Sequence, residues 1–102
     1  MDRKERLWAF LREHPEDLFT RHALAMEYIK TGDDKDAREL LEEVLTRDPG
    51  YIGSYYHLGK LLERQGDSAG AEAVYQRGIE AATKAGDRHA AGELTTALNL
   101  LD

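Results

Sequence analysis

The sequence predicts an all-α protein of about six antiparallel helices, and three observations carry that prediction. Apolar residues recur three and four positions apart along almost the whole chain, which is the pattern of one buried face of an α-helix. No segment shows the strict alternation of a half-buried strand. Short segments that combine Gly or Pro with Asp, namely "HPED", "TGDD", "RDPGY", "QGDS" and "AGDR", divide the apolar stripes into pieces joined by the short loops of helical hairpins.

Each element follows in order. Leu7, Phe10 and Leu11 place a helix over residues 3–13, stopped by Pro15. Leu24 and Tyr28 mark the second helix; Leu40, Leu41, Val44 and Leu45 mark the third, stopped by Pro49. Proline ends a helix because it lacks the amide hydrogen and restricts the residue before it. Leu58, Leu61 and Leu62 mark the fourth helix, and Val74, Tyr75 and Ile79 the fifth, expected from about Ser68 to Lys84. Leu94, Ala97, Leu98 and Leu101 mark the last, over residues 88–101. Gly32, Gly66 and Gly86 can take the left-handed conformation that closes a helix, and the Asp after each can accept orphan amide hydrogens of the next one. Ser54 and Ser68 fall at helix starts and are expected to act as caps rather than as nucleophiles.

The only two prolines stand 34 residues apart, and that distance is a period. Laid over residues 51–84, residues 17–50 match at Leu24 with Leu58, Gly32 with Gly66, Asp33 with Asp67 and Ala37 with Ala71. One step earlier, Leu7, Phe10, Leu11 and Pro15 fall on Leu41, Val44, Leu45 and Pro49. The organisation expected is one domain: a half-unit over 1–16, full units over 17–50 and 51–84, and a covering helix over 85–102. Ala25 and Gly59 are small so that the two helices of a unit can approach closely, and Tyr28, Tyr55 and Tyr75 fill the gaps between hairpins.

The second unit resembles a tetratricopeptide repeat, a 34-residue helix-turn-helix, with Tyr55, Leu58, Gly59, Ala71 and Tyr75 in that family's aromatic, Leu-Gly, Ala and aromatic places. The first unit supplies Leu24, Ala25, Tyr28, Ala37 and Pro49 but has Arg21 where a large aromatic is expected, which predicts looser packing there. The resemblance implies a right-handed superhelix whose first helices line a concave groove that binds an extended peptide or a partner helix. By register, the groove residues it implies are Phe19, His22, Met26, Ile29 and Lys30 from the first unit, and Tyr56, His57, Lys60 and Arg64 from the second. The alternative for Phe19 and Ile29 is ordinary burial under the N-terminal helix. The family's carboxylate clamp for chaperone C-termini needs Lys and Asn where this chain has His22 and Met26, so that ligand is not expected. With two full units, affinity for a short peptide is expected on the order of micromolar.

Composition narrows the partners. Twenty acidic against 14 basic residues give a net charge of −6, which repels phosphate backbones and anionic lipid, so neither nucleic acid nor a membrane surface is expected as a partner. With no cysteine there is no disulfide or thiolate site, and there is no apolar leader or membrane-length stretch, so a cytoplasmic location is expected. The four histidines lack companions at ligand spacing, and "GDDKDARELLEE" lacks the alternation and glycine of a calcium loop. No cofactor, metal or catalytic residue is expected, and the chain is read as a non-catalytic protein-binding module. The alternative is a structural subunit that forms a homodimer through the same apolar surface. Met1 and the covering helix lead to the expectation of a complete small protein.

Overall fold

Four aspartates start four of the helices. In the computed structural model, which describes residues 1–101, the carboxylates of Asp2, Asp17, Asp67 and Asp87 accept hydrogen bonds from the amides of Glu5, Thr20, Gly70 and Ala90 at 2.8, 3.1, 2.8 and 3.0 Å. Such bonds satisfy donors that the first helical turn leaves without a partner. The helices are α1 (Arg3–Glu13), α2 (Leu18–Lys30), α3 (Asp34–Arg47), α4 (Gly53–Arg64), α5 (Ser68–Ala85) and α6 (Arg88–Asn99), with no strand among the described residues. The all-α class and the six helices are those the sequence predicts.

The stops also follow the sequence. α1 and α3 each end two residues before a proline, whereas α5 runs through Thr83, where a third proline would fall, and ends at Ala85. Gly32, Gly66 and Gly86 adopt φ of 77°, 80° and 76°, the left-handed region that closes α2, α4 and α5. Two details differ from expectation. Ser68 is the first residue inside α5 and Asp67 caps it, while α4 begins behind Ile52, which offers no capping side chain, and Ser54 is buried in its first turn. α4 begins one residue before Ser54 and α5 begins at Ser68, so both serines lie inside the first turn and not ahead of it. α6 ends at Asn99, two residues short of the expected end.

The chain forms two compact units, one from Met1 to Val44 and the other from Leu45 onward. In the first, α1 packs on α2 with Leu11, Leu24 and Ala25 buried. Trp8 Nε1 donates to Tyr28 Oη at 2.9 Å, and Arg3 and Lys4 pair with Glu27 and Asp33 at 3.3 and 3.5 Å. The Asp33 carboxylate also takes the Thr31 hydroxyl, which with Lys4 holds it below the usual carboxylate range. Phe10, expected to pack on the hairpin with Leu7 and Leu11, is 46 % exposed and lies beside His14 with ring centroids 4.4 Å apart. Adjacent helical positions point about 100° apart, so with Leu11 turned inward Phe10 is turned out.

In the second unit, α4, α5 and α6 pack together. A methyl group at Gly59 would overlap the Tyr75 ring, so the missing side chain is what lets α4 and α5 close. Tyr75 is fully buried and its hydroxyl donates to Glu63; burial, that bond and the carboxylate's charge push the phenol well above its ordinary value. At Gly78 an added Cβ would stand 2.7 Å from Tyr55 Cβ and 2.9 Å from Leu94 Cδ1, which marks the point where α4, α5 and α6 meet. The Tyr55 hydroxyl donates to the Pro49 carbonyl, tying the α3–α4 loop to the start of α4. No helix among the described residues is long and apolar enough to cross a membrane.

Candidate functional site between α4 and α6

α6 packs on both α5 and α4, with Leu94 and Ala97 buried. Between α4 and α6 lies an open cavity of about 570 Å³. Tyr56 and Lys60, one helical turn apart on α4, form one wall. Arg88, His89, Gly92, Glu93, Thr96 and Ala97 of α6, followed by Leu100, form the other. A smaller neighbour of about 270 Å³ shares Tyr56 and Glu93 and adds Ile52, His57, Ala90 and Leu94.

The walls are arranged by local contacts. Lys60 Nζ lies 5.5 Å from the Tyr56 ring centroid and 3.6 Å from Glu63 Oε2, so its ammonium is held at the rim over an aromatic face. The Tyr56 and His57 rings meet edge to face at 5.6 Å. Burial pulls the His57 imidazole below its ordinary value, and the Glu93 carboxylate partly opposes that shift. Across the cavity His89 Nε2 stands 3.5 Å from Glu93 Oε1, one turn away on the same helix. Leu100 is 73 % exposed and, with Tyr56 and Ala97, gives the cavity an apolar surface beside its cations. Such a surface can seat an apolar side chain and neutralise an acid next to it. Among the described residues no three His, Asp or Glu side chains stand close enough to hold a metal ion.

The nine residues named from sequence divide between the two units. On α2, Phe19 is 72 % exposed, so α1 does not cover it; His22, Met26 and Ile29 are half-buried, and Lys30 is exposed and pairs with Glu27 at 3.6 Å. On α4, Tyr56 and Lys60 line the larger cavity and Tyr56 and His57 the smaller, whereas Arg64, at the exposed end of the helix, lines neither.

Sequence reasoning missed the α6 wall, having treated that helix as a cover. The signal was present at a different offset: moved by 36 residues instead of 34, Leu58 and Leu62 of α4 fall on Leu94 and Leu98 of α6. α6 therefore carries the apolar spacing of a first helix of a further unit. α5 is four residues longer than α3, 18 against 14, while the loop after it is shorter.

The sequence and the fold both have close counterparts. A family model described as tetratricopeptide repeat matches residues 28–94. A TPR repeat-containing protein of Pseudomonas aeruginosa is 33 % identical over 98 residues, covering 96 % of this chain and 93 % of the relative. A tetratricopeptide repeat domain protein of Salinibacter ruber, solved in solution by NMR, superposes with a TM-score of 0.79 at 45 % identity, covering 82 % of this chain and 85 % of that one. The solution structure of a protein from Bordetella parapertussis gives a TM-score of 0.83 at 32 % identity over 97 % of this chain and 86 % of its own. With two helix pairs repeating at 34 residues, small residues where helices close on aromatic rings, and relatives matching nearly end to end, this chain belongs to the tetratricopeptide repeat family.

Proposed function

We propose that this chain is a non-catalytic, cytoplasmic protein-interaction module that binds a peptide or a partner helix along its first helices, with the α4–α6 cavity as the principal seat. Tetratricopeptide repeat domains in general mediate protein–protein interaction. The observation that carries the reading to a place on this chain is the 570 Å³ cavity walled by Tyr56, Lys60 and α6, a volume within the range of about 300–1,000 Å³ usual for ligand sites. Phe19, His22, Met26, Ile29 and Lys30 on α2 form a second candidate surface; Arg64 stands outside the cavity. The site is built on helices held by buried Leu94, Ala97 and Tyr75, so binding needs little ordering of the receptor.

Panning a displayed library of random octapeptides against the wild-type chain tests this reading. Enriched peptides should bind with a Kd on the order of micromolar, and Tyr56→Glu should weaken them by at least about tenfold. Failure to enrich any peptide over an unrelated helical protein, or equal binding by the Tyr56→Glu variant, refutes it.

A second reading, self-association, rests on the exposure of Phe19. Light scattering across a wide concentration range should then show a dimer that Phe19→Asp dissolves; a monomer at every concentration dismisses it.

A further inference from the structure

The charge around the α4–α6 cavity runs against the charge of the chain. The protein carries −6, yet Lys60, Arg88 and His89 face the cavity against a single acid, Glu93, which His89 already engages at 3.5 Å. Counting Lys60 and Arg88 against Glu93 with histidine neutral, the lining is +1. A concave lining with an excess of cations, in a chain of net negative charge, favours a ligand of negative sign.

Arg88 is exposed at the start of α6. It makes no hydrogen bond or ion pair among the described residues, and it occupies the first residue of α6, where the helix dipole disfavours a cation. Lys60 is only partly neutralised: Glu63 at 3.6 Å lies on its own helix outside the lining, and the Tyr56 ring lies beneath its ammonium. Arg88 and Lys60 thus bring cations from two different helices to the same cavity, next to the apolar surface of Tyr56, Ala97 and Leu100.

We propose that the occupant of this cavity is an acidic peptide segment in which a Glu or Asp carboxylate adjoins a large apolar side chain. The carboxylate meets the Arg88 guanidinium and the Lys60 ammonium, and the apolar side chain lies against Tyr56 and Leu100. A guanidinium presents its donors in a planar fork that fits a carboxylate, and partial exclusion of water by the walls strengthens that contact. This inference rests on the peptide-binding reading above and adds the sign of the ligand to it.

The test uses three pools of fluorescein-labelled octapeptides, capped at both ends, built from Leu, Phe and Gly with Glu, Gln or Lys as the fourth residue. Anisotropy titrations with the intact chain should show the Glu pool binding about tenfold or more tightly than the Gln pool, an advantage that high salt erodes. Arg88→Glu should abolish that preference, and Lys60→Glu with Arg88→Glu should transfer it to the Lys pool, with helical circular dichroism unchanged because both side chains lie outside the core. Equal binding of the Glu and Gln pools, or a preference that survives Arg88→Glu, overturns the inference. If the neutral pool binds and Tyr56→Glu abolishes that binding, the interaction groove stands and only its proposed sign falls. If no pool binds, the groove and its sign fall together.

Discussion

Arg21 donates a hydrogen bond from Nη2 to the carbonyl oxygen of Pro15, 2.9 Å away. One repeat later Tyr55, 34 positions on, donates the corresponding bond to the carbonyl of Pro49, 34 positions on from Pro15. The residue that departs from the family's aromatic pattern thus performs the same tie by other means: a long planar cation reaches the acceptor that a phenol reaches in the second unit. Arg21→Ala should cost about 1 kcal/mol in thermal unfolding followed by circular dichroism. Arg21→Tyr should recover most of that loss. A tyrosine no better than alanine would show that the guanidinium contributes something other than the proline contact.

Gly59 and Tyr75 are the second unit's version of Ala25 and Leu41, each pair exactly one period from the other in sequence. A methyl group at Gly59 would run into the Tyr75 ring, which Glu63 holds by its hydroxyl. Gly59→Ala should therefore cost about 1–3 kcal/mol in urea denaturation, as overpacking does. Adding Tyr75→Leu recreates the first unit's pairing, and the double variant should be more stable than the sum of the single changes by about 1–3 kcal/mol. Simple additivity would mean that the two positions do not share this space.

His57 links stability to pH. Its imidazole is held below the ordinary value of 6.5 by burial, so the unfolded chain takes up a proton at a higher pH than the folded one. The resulting stabilisation is complete above about pH 6.5 and is lost as pH falls through the lower folded value. Melting temperatures should drop between about pH 7 and pH 5, and His57→Gln should flatten that drop. The same slope in both proteins would assign the effect elsewhere.

Leu94 and Leu100 sit six residues apart and should behave in opposite ways. Leu94 is buried where α4, α5 and α6 meet, so Leu94→Ala should cost about 2–5 kcal/mol of stability. Leu100 is exposed at the cavity, so Leu100→Ala should leave stability within about 0.5 kcal/mol while weakening any peptide that the wild type selects. Calorimetry of the two variants, with and without such a peptide, separates the roles.

The helices were legible because their determinants are local. Apolar spacing, Gly-Asp pairs and prolines act within a few residues, and Asp67 and Asp87 cap where the glycine before each predicts a new start. The close approach at Gly59 was legible for a similar reason, since a glycine at a helix midpoint has few uses other than proximity. What escaped notice depends on rotation and partnership. The outward turn of Phe10 follows from which of two adjacent apolar residues wins the interior, and nothing in "AFL" decides that. The α6 wall escaped because two extra residues broke a rigid comparison at 34, although the spacing of Leu94 and Leu98 kept the older pattern. Arg21 escaped because equivalence of hydrogen bonding is not equivalence of residue type.

The three helix-closing glycines have a stereochemical consequence. At Gly32, Gly66 and Gly86 a Cβ would meet nothing within 4 Å, so space is not what bars a side chain there; only its handedness is. Among the encoded amino acids every alternative is of the wrong hand for these positions. A mirror-image alanine, introduced by chemical synthesis, would find positive φ natural and would narrow the unfolded ensemble by about 0.4–1 kcal/mol at each turn. These corners of the repeat array are thus places where the genetic code itself, rather than the fold, sets the ceiling on stability.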